Sequence, residues 1–264
     1  MGLLSNKNAL IFGVANDHSI AWGIARAFAR EGATLGFSYA GEALERRVRP
    51  LAAQVHSTFV ESCDVSQDDQ IKAVMEKARA AFGEIDILVH AVAYAGREEL
   101  SGTYYNTTRA GFHQALDISA YSFTALAREA LPIMRPGGSL LTLTYHGSVK
   151  AVTHYNVMGV AKAALESSVR YLAVDLGAHE KHLRVNAISA GPIRTLSAAG
   201  VSGFKSMYSA FKNMAPLHRH VTIDDVGNAA VYLCSDWAAG VTGEIHYVDS
   251  GYNVVGVPTS DDSA

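Results

Sequence analysis

The sequence predicts a doubly wound parallel α/β sheet folded as a single domain. Three observations carry this. Short apolar runs alternate about seven times with segments of helical period, and that alternation calls for a parallel sheet with helices on both faces. A chain of 264 residues that is 49% hydrophobic can fill one large core. No Ser-, Pro- or Gly-rich linker breaks the pattern, so residues 1–257 are taken as one domain and the polar run 258–264 as a frayed tail.

The elements follow in order. Residues 9–12 read as a buried strand that Gly13 ends. Residues 20–30 carry apolar side chains at helical spacing, and Gly32 follows as a C-cap signal. Strand 33–39 and helix 41–53 come next, then strand 58–62, a polar helix over 67–82 and strand 85–91. A long helical segment over 109–134 is expected to stop near Pro136. Strand 139–144 precedes a strong helix over 155–176. Strand 183–189, helix 223–233 and strand 243–248 complete the series.

Composition excludes several classes of function. The formal net charge of −3 gives no global basic field, which argues against a nucleic-acid partner. The two cysteines, Cys63 and Cys234, cannot build a disulfide framework or a multi-cysteine zinc site, and they fit a reducing cytoplasm. Residues 1–7 lack the basic and apolar regions of a secretory leader, and no apolar run approaches the ~18 residues needed to span a bilayer. Eleven histidines invite a search for a metal, but no His-Glu-x-x-His occurs, and His218 and His220 alternate with Arg219 on an expected loop. No metal is expected.

In a doubly wound sheet the ligand lies at the carboxyl ends of the strands, beside the first βα turn. Here that turn is Gly13 to Ala21. Gly13 permits a tight bend, and the helix beginning near Ser19 presents amides to a pyrophosphate. Ser19 and Ala21 stand where the dinucleotide fingerprint has its later glycines, and both are small. The plainer alternative is an ordinary N-capping serine. Asp64 and Val65 follow the third strand and could meet an adenine edge, although a turn carboxylate is common at such a place. After the second strand, Ala40 and Gly41 offer neither an acid for the ribose nor a cation for a 2′-phosphate; Arg46 and Arg47 read as a solvated helix face. The missing cation favours NADH over NADPH.

Tyr155 and Lys162 are the most informative pair. Seven residues of α-helix turn through about 700°, so both side chains face one way, ~10.5 Å apart along the axis. Such a pair can set a phenol against a reacting carbonyl and an ammonium against a nicotinamide ribose, with the cation strengthening the phenol as an acid. Taken as bare spacing, a core tyrosine with a surface lysine is the commoner explanation.

With its neighbours, the pair resembles the short-chain dehydrogenase/reductase superfamily, whose usual motif is Tyr-x3-Lys. Met158 stands where that motif has its tyrosine. Tyr-x6-Lys, with a second tyrosine at Tyr145 in place of the usual serine, marks the enoyl-reductase branch. The chain is similar over about residues 2–255 to bacterial NADH-dependent enoyl-(acyl-carrier-protein) reductases. The similarity runs through Gly13-Val-Ala, Ser19-Ile-Ala-Trp-Gly23, His90-Ala-Val-Ala-Tyr-Ala95, Asp117-Ile-Ser-Ala-Tyr-Ser-Phe123, the segment 155–162 and Arg184 to Thr195.

The resemblance implies a Rossmann-type fold and reduction of the carbon–carbon double bond of trans-2-enoyl chains on acyl carrier protein, in fatty acid biosynthesis. It implies that Gly13, Ser19, Ile20, Asp64, Val65, Val92, Lys162, Gly191, Pro192, Ile193, Arg194 and Thr195 contact NADH/NAD+. Ala95 would offer its backbone to substrate, with Tyr145, Tyr155 and Lys162 as the catalytic group. Ala40 departs from the glutamine frequent in the family. The segment 196–214 would be a mobile lid over the acyl chain, and Met207, Tyr208 and Phe211, at helical spacing, would line either core or acyl pocket. A cytoplasmic homotetramer is implied as well. A carbonyl or alcohol dehydrogenase would need a tyrosine at Met158 and a serine or threonine at Tyr145. A nicotinamide-sensing binding protein would have little reason to keep both Tyr155 and Lys162.

Overall fold

The computed structural model describes residues 2–196, 198 and 203–256. The expected tail and residues 197 and 199–202 of the expected lid lie outside the described residues. The first strand, β1 (Asn8–Phe12), shows how the core divides. Its side chains alternate: Ala9 and Ile11 enter one apolar layer, Leu10 and Phe12 the other. Each large side chain so buried contributes roughly 1.5–3 kcal/mol.

The first layer lies under α1 (Ile20–Arg30), α2 (Glu42–Gln54) and α8 (Ile223–Cys234) and includes Trp22, Phe28 and Phe37. The second lies under α3 (Asp68–Phe82), α5 (Ser122–Ala130) and α6 (Asn156–Ala178) and includes Phe59 and Phe123. Between them run β2 (Thr34–Tyr39), β3 (Phe59–Ser62), β4 (Ile85–His90), β5 (Met134–Thr144), β6 (Arg184–Ala190) and β7 (Ile245–Val248). All pairings are parallel, in the order β3-β2-β1-β4-β5-β6-β7. The chain runs outward from β1 to β3 and returns to β4 on the other side of β1. The resulting reversal opens a crevice beyond the carboxyl ends of β1 and β4.

The expected elements are present, with one correction. The segment 109–134 is not one helix. It is α4 (Arg109–Leu116), a π turn (Asp117–Tyr121), α5 and a 3-10 turn (Leu131–Ile133) containing Pro132. Met134 is fully buried and pairs with Ile85, so β5 starts five residues before the expected 139. The register slips between Ile85/Met134 and Ile87/Ser139, so Pro136 and its glycines lie at an irregularity within the strand rather than at a helix end. Another helix, α7 (Phe204–Met214), lies within the expected lid segment. Among the described residues no helix is long and apolar enough to cross a membrane.

Candidate active site

A cleft of about 670 Å³ opens at the carboxyl ends of β1, β4, β5 and β6. Its floor begins at Gly13, where φ is 106° and a Cβ would collide with the Ala91 carbonyl oxygen. Only glycine lets β1 turn this closely past β4. The Ser19 hydroxyl accepts the N–H groups of Ala15 and Asn16 at 3.0 Å, so it closes the turn and does not reach outward. Ile20 and Ala21, at the first turn of α1, line the cleft with their helix-terminal amides.

The opposite wall is α6. Lys162 is buried, and its Nζ donates to the Leu143 carbonyl at 2.9 Å. Burial lowers the lysine pKa to about 8, with Glu166 opposing the shift. Tyr155 caps the start of α6, and its ring meets that of Tyr145 edge-on, with centroids 4.9 Å apart. Gly147 makes room for this pair, since a Cβ there would lie 2.5 Å from Tyr155 Cδ1. Burial pushes Tyr145 up to about 12 and Tyr155 higher still. Instead of the expected acidification by Lys162, burial, with the fields of Tyr145 and Glu166, raises Tyr155, and both phenols stay protonated as hydrogen-bond donors at neutral pH. The Tyr145 hydroxyl reaches Met207 Sδ on α7 at 3.5 Å.

A polar stack under β4 holds the third side of the cleft. His90 is fully buried, with Thr142 Oγ1 2.8 Å from Nδ1 and Ser122 Oγ 2.8 Å from Nε2. Ser122 also lies within reach of the Ile118 carbonyl and Thr142 within reach of the His90 carbonyl, so one hydroxyl accepts the single ring N–H while the other donates to the bare ring nitrogen. Burial, aided by Lys162, lowers the His90 pKa to about 3, so the ring is neutral. The π turn also aims the Ser119 hydroxyl at the Tyr94 backbone, accepting its N–H at 2.9 Å and donating to its carbonyl at 3.0 Å. That clamp fixes the loop carrying Val92 and Ala95.

The structure gathers Gly13, Ser19, Ile20, Val92, Ala95, Tyr145, Tyr155, Lys162, Gly191, Pro192, Ile193 and Thr195 around one cleft. Three expected residues lie outside its lining. Asp64 is exposed and accepts the Ser66 amide and hydroxyl in a turn. Val65 is buried in the second apolar layer. Arg194 turns its guanidinium over the Tyr208 ring, 4.5 Å from the centroid. At the end of β2, Ala40 is exposed, and Arg49 on α2 is paired with Glu45 at 2.7 Å. The sequence reading missed Glu166, Thr144, Ser119 and Gly147. Glu166 had a signal, since an acid four residues after Lys162 shares its helical face.

A glycine cradle, free helix-terminal amides, small walls at Ala15, Ala91 and Ala190 and a buried ammonium together suit a dinucleotide. With Tyr155 capping α6 and Lys162 two turns along it, both lining the cleft, they define a nicotinamide-dependent enzyme of the short-chain dehydrogenase/reductase class. The sequence profile of the enoyl-(acyl carrier protein) reductase family matches residues 13–253, and the chain belongs to that family. It is 54% identical to enoyl-acyl-carrier-protein reductase (NADH) 2 of Rhizobium meliloti, over 98% of this chain and 96% of that protein. It is 52% identical to the NADH enzyme FabI of Aquifex aeolicus, over 97% and 95%. Among solved structures, the Bacillus cereus enoyl-acyl carrier protein reductase with NADP+ and indole naphthyridinone superimposes with a TM-score of 0.95 at 52% identity, over 97% of this chain and all of that one. An Anaplasma phagocytophilum relative in complex with NAD gives 0.93 at 46% identity, over 100% and 98%.

Proposed function

We propose that the protein reduces the carbon–carbon double bond of trans-2-enoyl chains carried on acyl carrier protein, with NADH, as a step of fatty acid biosynthesis. The carrying observation is the start of α6: its cap Tyr155 and its Lys162 open into the cleft, while a buried Met158, with no proton to give, occupies the intervening turn. NADH, when bound, supplies the hydride added at the β-carbon. Tyr155 donates a hydrogen bond to the thioester oxygen, where negative charge gathers as the double bond is reduced. Lys162 holds the nicotinamide ribose and adds positive potential. Tyr145 shapes the pocket beside Tyr155 and assists the transfer of the solvent-derived proton that completes the reduction at the α-carbon. Ala95 offers its backbone to the thioester.

Gly13, Ser19, Ile20, Val92 and the segment Gly191, Pro192, Ile193, Arg194 and Thr195 hold the dinucleotide, Arg194 through its backbone. Asp64 and Val65, beyond β3 and outside the cleft lining, serve its adenine edge, Val65 through its backbone because its side chain is buried. Helix α7, a described part of the segment expected as a lid, lies over the acyl chain and meets Tyr145 through Met207. The enzyme works as a cytoplasmic homotetramer. Exposed Tyr171 and Val174 on α6 and exposed Trp237 beyond α8 support self-association.

The test is NADH oxidation against trans-2-enoyl and 3-ketoacyl thioesters, each on acyl carrier protein and on coenzyme A. Turnover of the enoyl series is expected, and faster turnover of the ketone would overturn the reading. NADH should be preferred to NADPH by about tenfold or more in kcat/KM, ~1.4 kcal/mol, because Ala40 offers no cation and Glu45 occupies Arg49. Equal values would remove that preference.

A further inference from the structure

Glu166 is a buried acid for which the mechanism above has no use. It lies one helical turn after Lys162 on the same face of α6. The two side chains are 5% and 6% exposed. They anchor to consecutive residues at the end of β5: Lys162 Nζ donates to the Leu143 carbonyl, and the Thr144 hydroxyl donates to Glu166 Oε1 at 2.6 Å. The next residue is Tyr145. We propose that Glu166 is a positioning residue of this site: held by Thr144, its carboxylate is the counter-charge that keeps Lys162 an ammonium beside the cofactor ribose. The proposal rests on the reductase reading given above.

The surroundings leave this role to Glu166. A buried ammonium without an opposite charge loses its proton instead of bearing the desolvation cost. Burial already lowers Lys162 to about 8, and among the described residues Glu166 is the acid that opposes the shift. Charged Asp249, Glu244 and Lys150 lie near His146 and Tyr247, but the charge acting on Lys162 itself is that of Glu166. His90 on β4 stands at about 3. Burial raises Tyr155 on α6 and Tyr247 on β7, and lowers His146 in the turn after β5. Asp249 and Lys150 act on His146 and Asp249 on Tyr247, while the field of Glu166 reaches all three of Tyr155, His146 and Tyr247. The simpler role would be mechanical, a peg joining α6 to β5.

Two variants separate charge from peg. Glu166→Gln keeps an acceptor for Thr144 and removes the charge; Thr144→Val removes the hydrogen bond and keeps the charge. NADH affinity, followed by fluorescence titration from pH 6 to 10, is expected to weaken above about pH 8 in the wild type. In Glu166→Gln that limb should move down by about one unit, giving roughly tenfold weaker binding above it and near-wild-type binding at pH 6. Glu166→Asp should return the limb towards the wild-type position, and Thr144→Val should leave it in place. A limb unmoved in Glu166→Gln, or moved as far by Thr144→Val, overturns the proposal. Should Glu166→Gln fail to fold, adding Lys162→Met should restore folding, because it removes the charge left without a partner; a double variant that stays unfolded counts against the proposal. The titration needs no acyl substrate, so wild-type protein that shows the limb but reduces no enoyl thioester defeats the reductase reading and spares the Lys162–Glu166 pair.

Discussion

The β5–α6 wall of the cleft and helix α7 face each other across the same space, and they are built in opposite ways. On the wall, the charged pair and the two phenol rings are held by elements of the core, and the Tyr145 hydroxyl reaches across to Met207 on α7. Lys162 and Glu166 bond to residues 143 and 144, and the Tyr145 and Tyr155 rings interlock over Gly147. Helix α7 is held largely by side-chain contacts at its surface. Phe211 is buried and packs near Tyr252, Tyr208 stacks on His220 with centroids 3.7 Å apart, and Arg194 caps that stack. Groups that stabilise a transition state need placement within a fraction of an ångström, which rigid elements supply. An element that admits and releases an acyl chain must open at low cost, which sparse contacts supply.

The largest effect should come from the wall. Tyr155→Phe removes the donor and keeps the ring, so kcat and kcat/KM should fall together by about 10²–10³-fold. NADH affinity should hold, since the hydroxyl serves the thioester and not the ribose. Steady-state kinetics on an enoyl thioester, with NADH fluorescence titration alongside, tests both halves. Full activity would take the chemistry away from Tyr155.

Gly147→Ala probes the same wall without changing the chemistry of a reacting group. The added methyl would lie 2.5 Å from Tyr155 Cδ1 and 3.3 Å from Tyr145 Cδ1, in a region with little freedom to relax. Displacing a donor by about 1 Å can cost about 10²-fold, and about tenfold or more in kcat is expected here. Overpacking should also lower stability by about 1–3 kcal/mol in denaturant titration. Unchanged kcat would show that the wall yields as readily as the lid.

The two regions also differed in how legible they were in the sequence. Strands such as β1 and β6 are short apolar runs closed by glycine or turn residues, and their order along the chain reads directly. Tyr155 and Lys162 share a face by helical arithmetic alone. The π turn at 117–121 did not read, because its residues continue the helical apolar period; only the bonds of Ser119 to Tyr94 and of Ser122 to His90 show what the wider turn aligns. The early start of β5 was hidden as well, since Met134 ends a helical pattern and joins the strand only through its pairing with Ile85. At the lid, Met207, Tyr208 and Phe211 gave a period that did not choose between core and pocket. The structure divides them: Phe211 is core, Met207 lines the cleft, and Tyr208 belongs to the stack with His220.

That stack gives the smallest predicted effect and the sharpest test of the contrast. Tyr208→Ala removes the surface on which both Arg194 and His220 rest. A cation–π contact at such a site contributes about 0.5–1 kcal/mol and an aromatic stack about 0.5–1.5 kcal/mol, so the closed position of α7 should lose roughly 1–2 kcal/mol. The loss falls on holding the acyl chain and not on polarising the thioester. KM should therefore rise about five- to thirtyfold for long enoyl chains and hardly at all for short ones, which do not reach α7, while kcat stays within about twofold. Acid should act in the same direction. Burial, with Arg194 and Lys212 nearby, holds the His220 pKa below the ordinary histidine range; once pH falls far enough to protonate it, the new charge stands close to Arg194 and loosens the stack. The chain-length series at neutral and acid pH reads both effects. If Tyr208→Ala instead lowers kcat as steeply as Tyr155→Phe, and equally for every chain length, then α7 is part of the catalytic wall and the division drawn between the two regions fails.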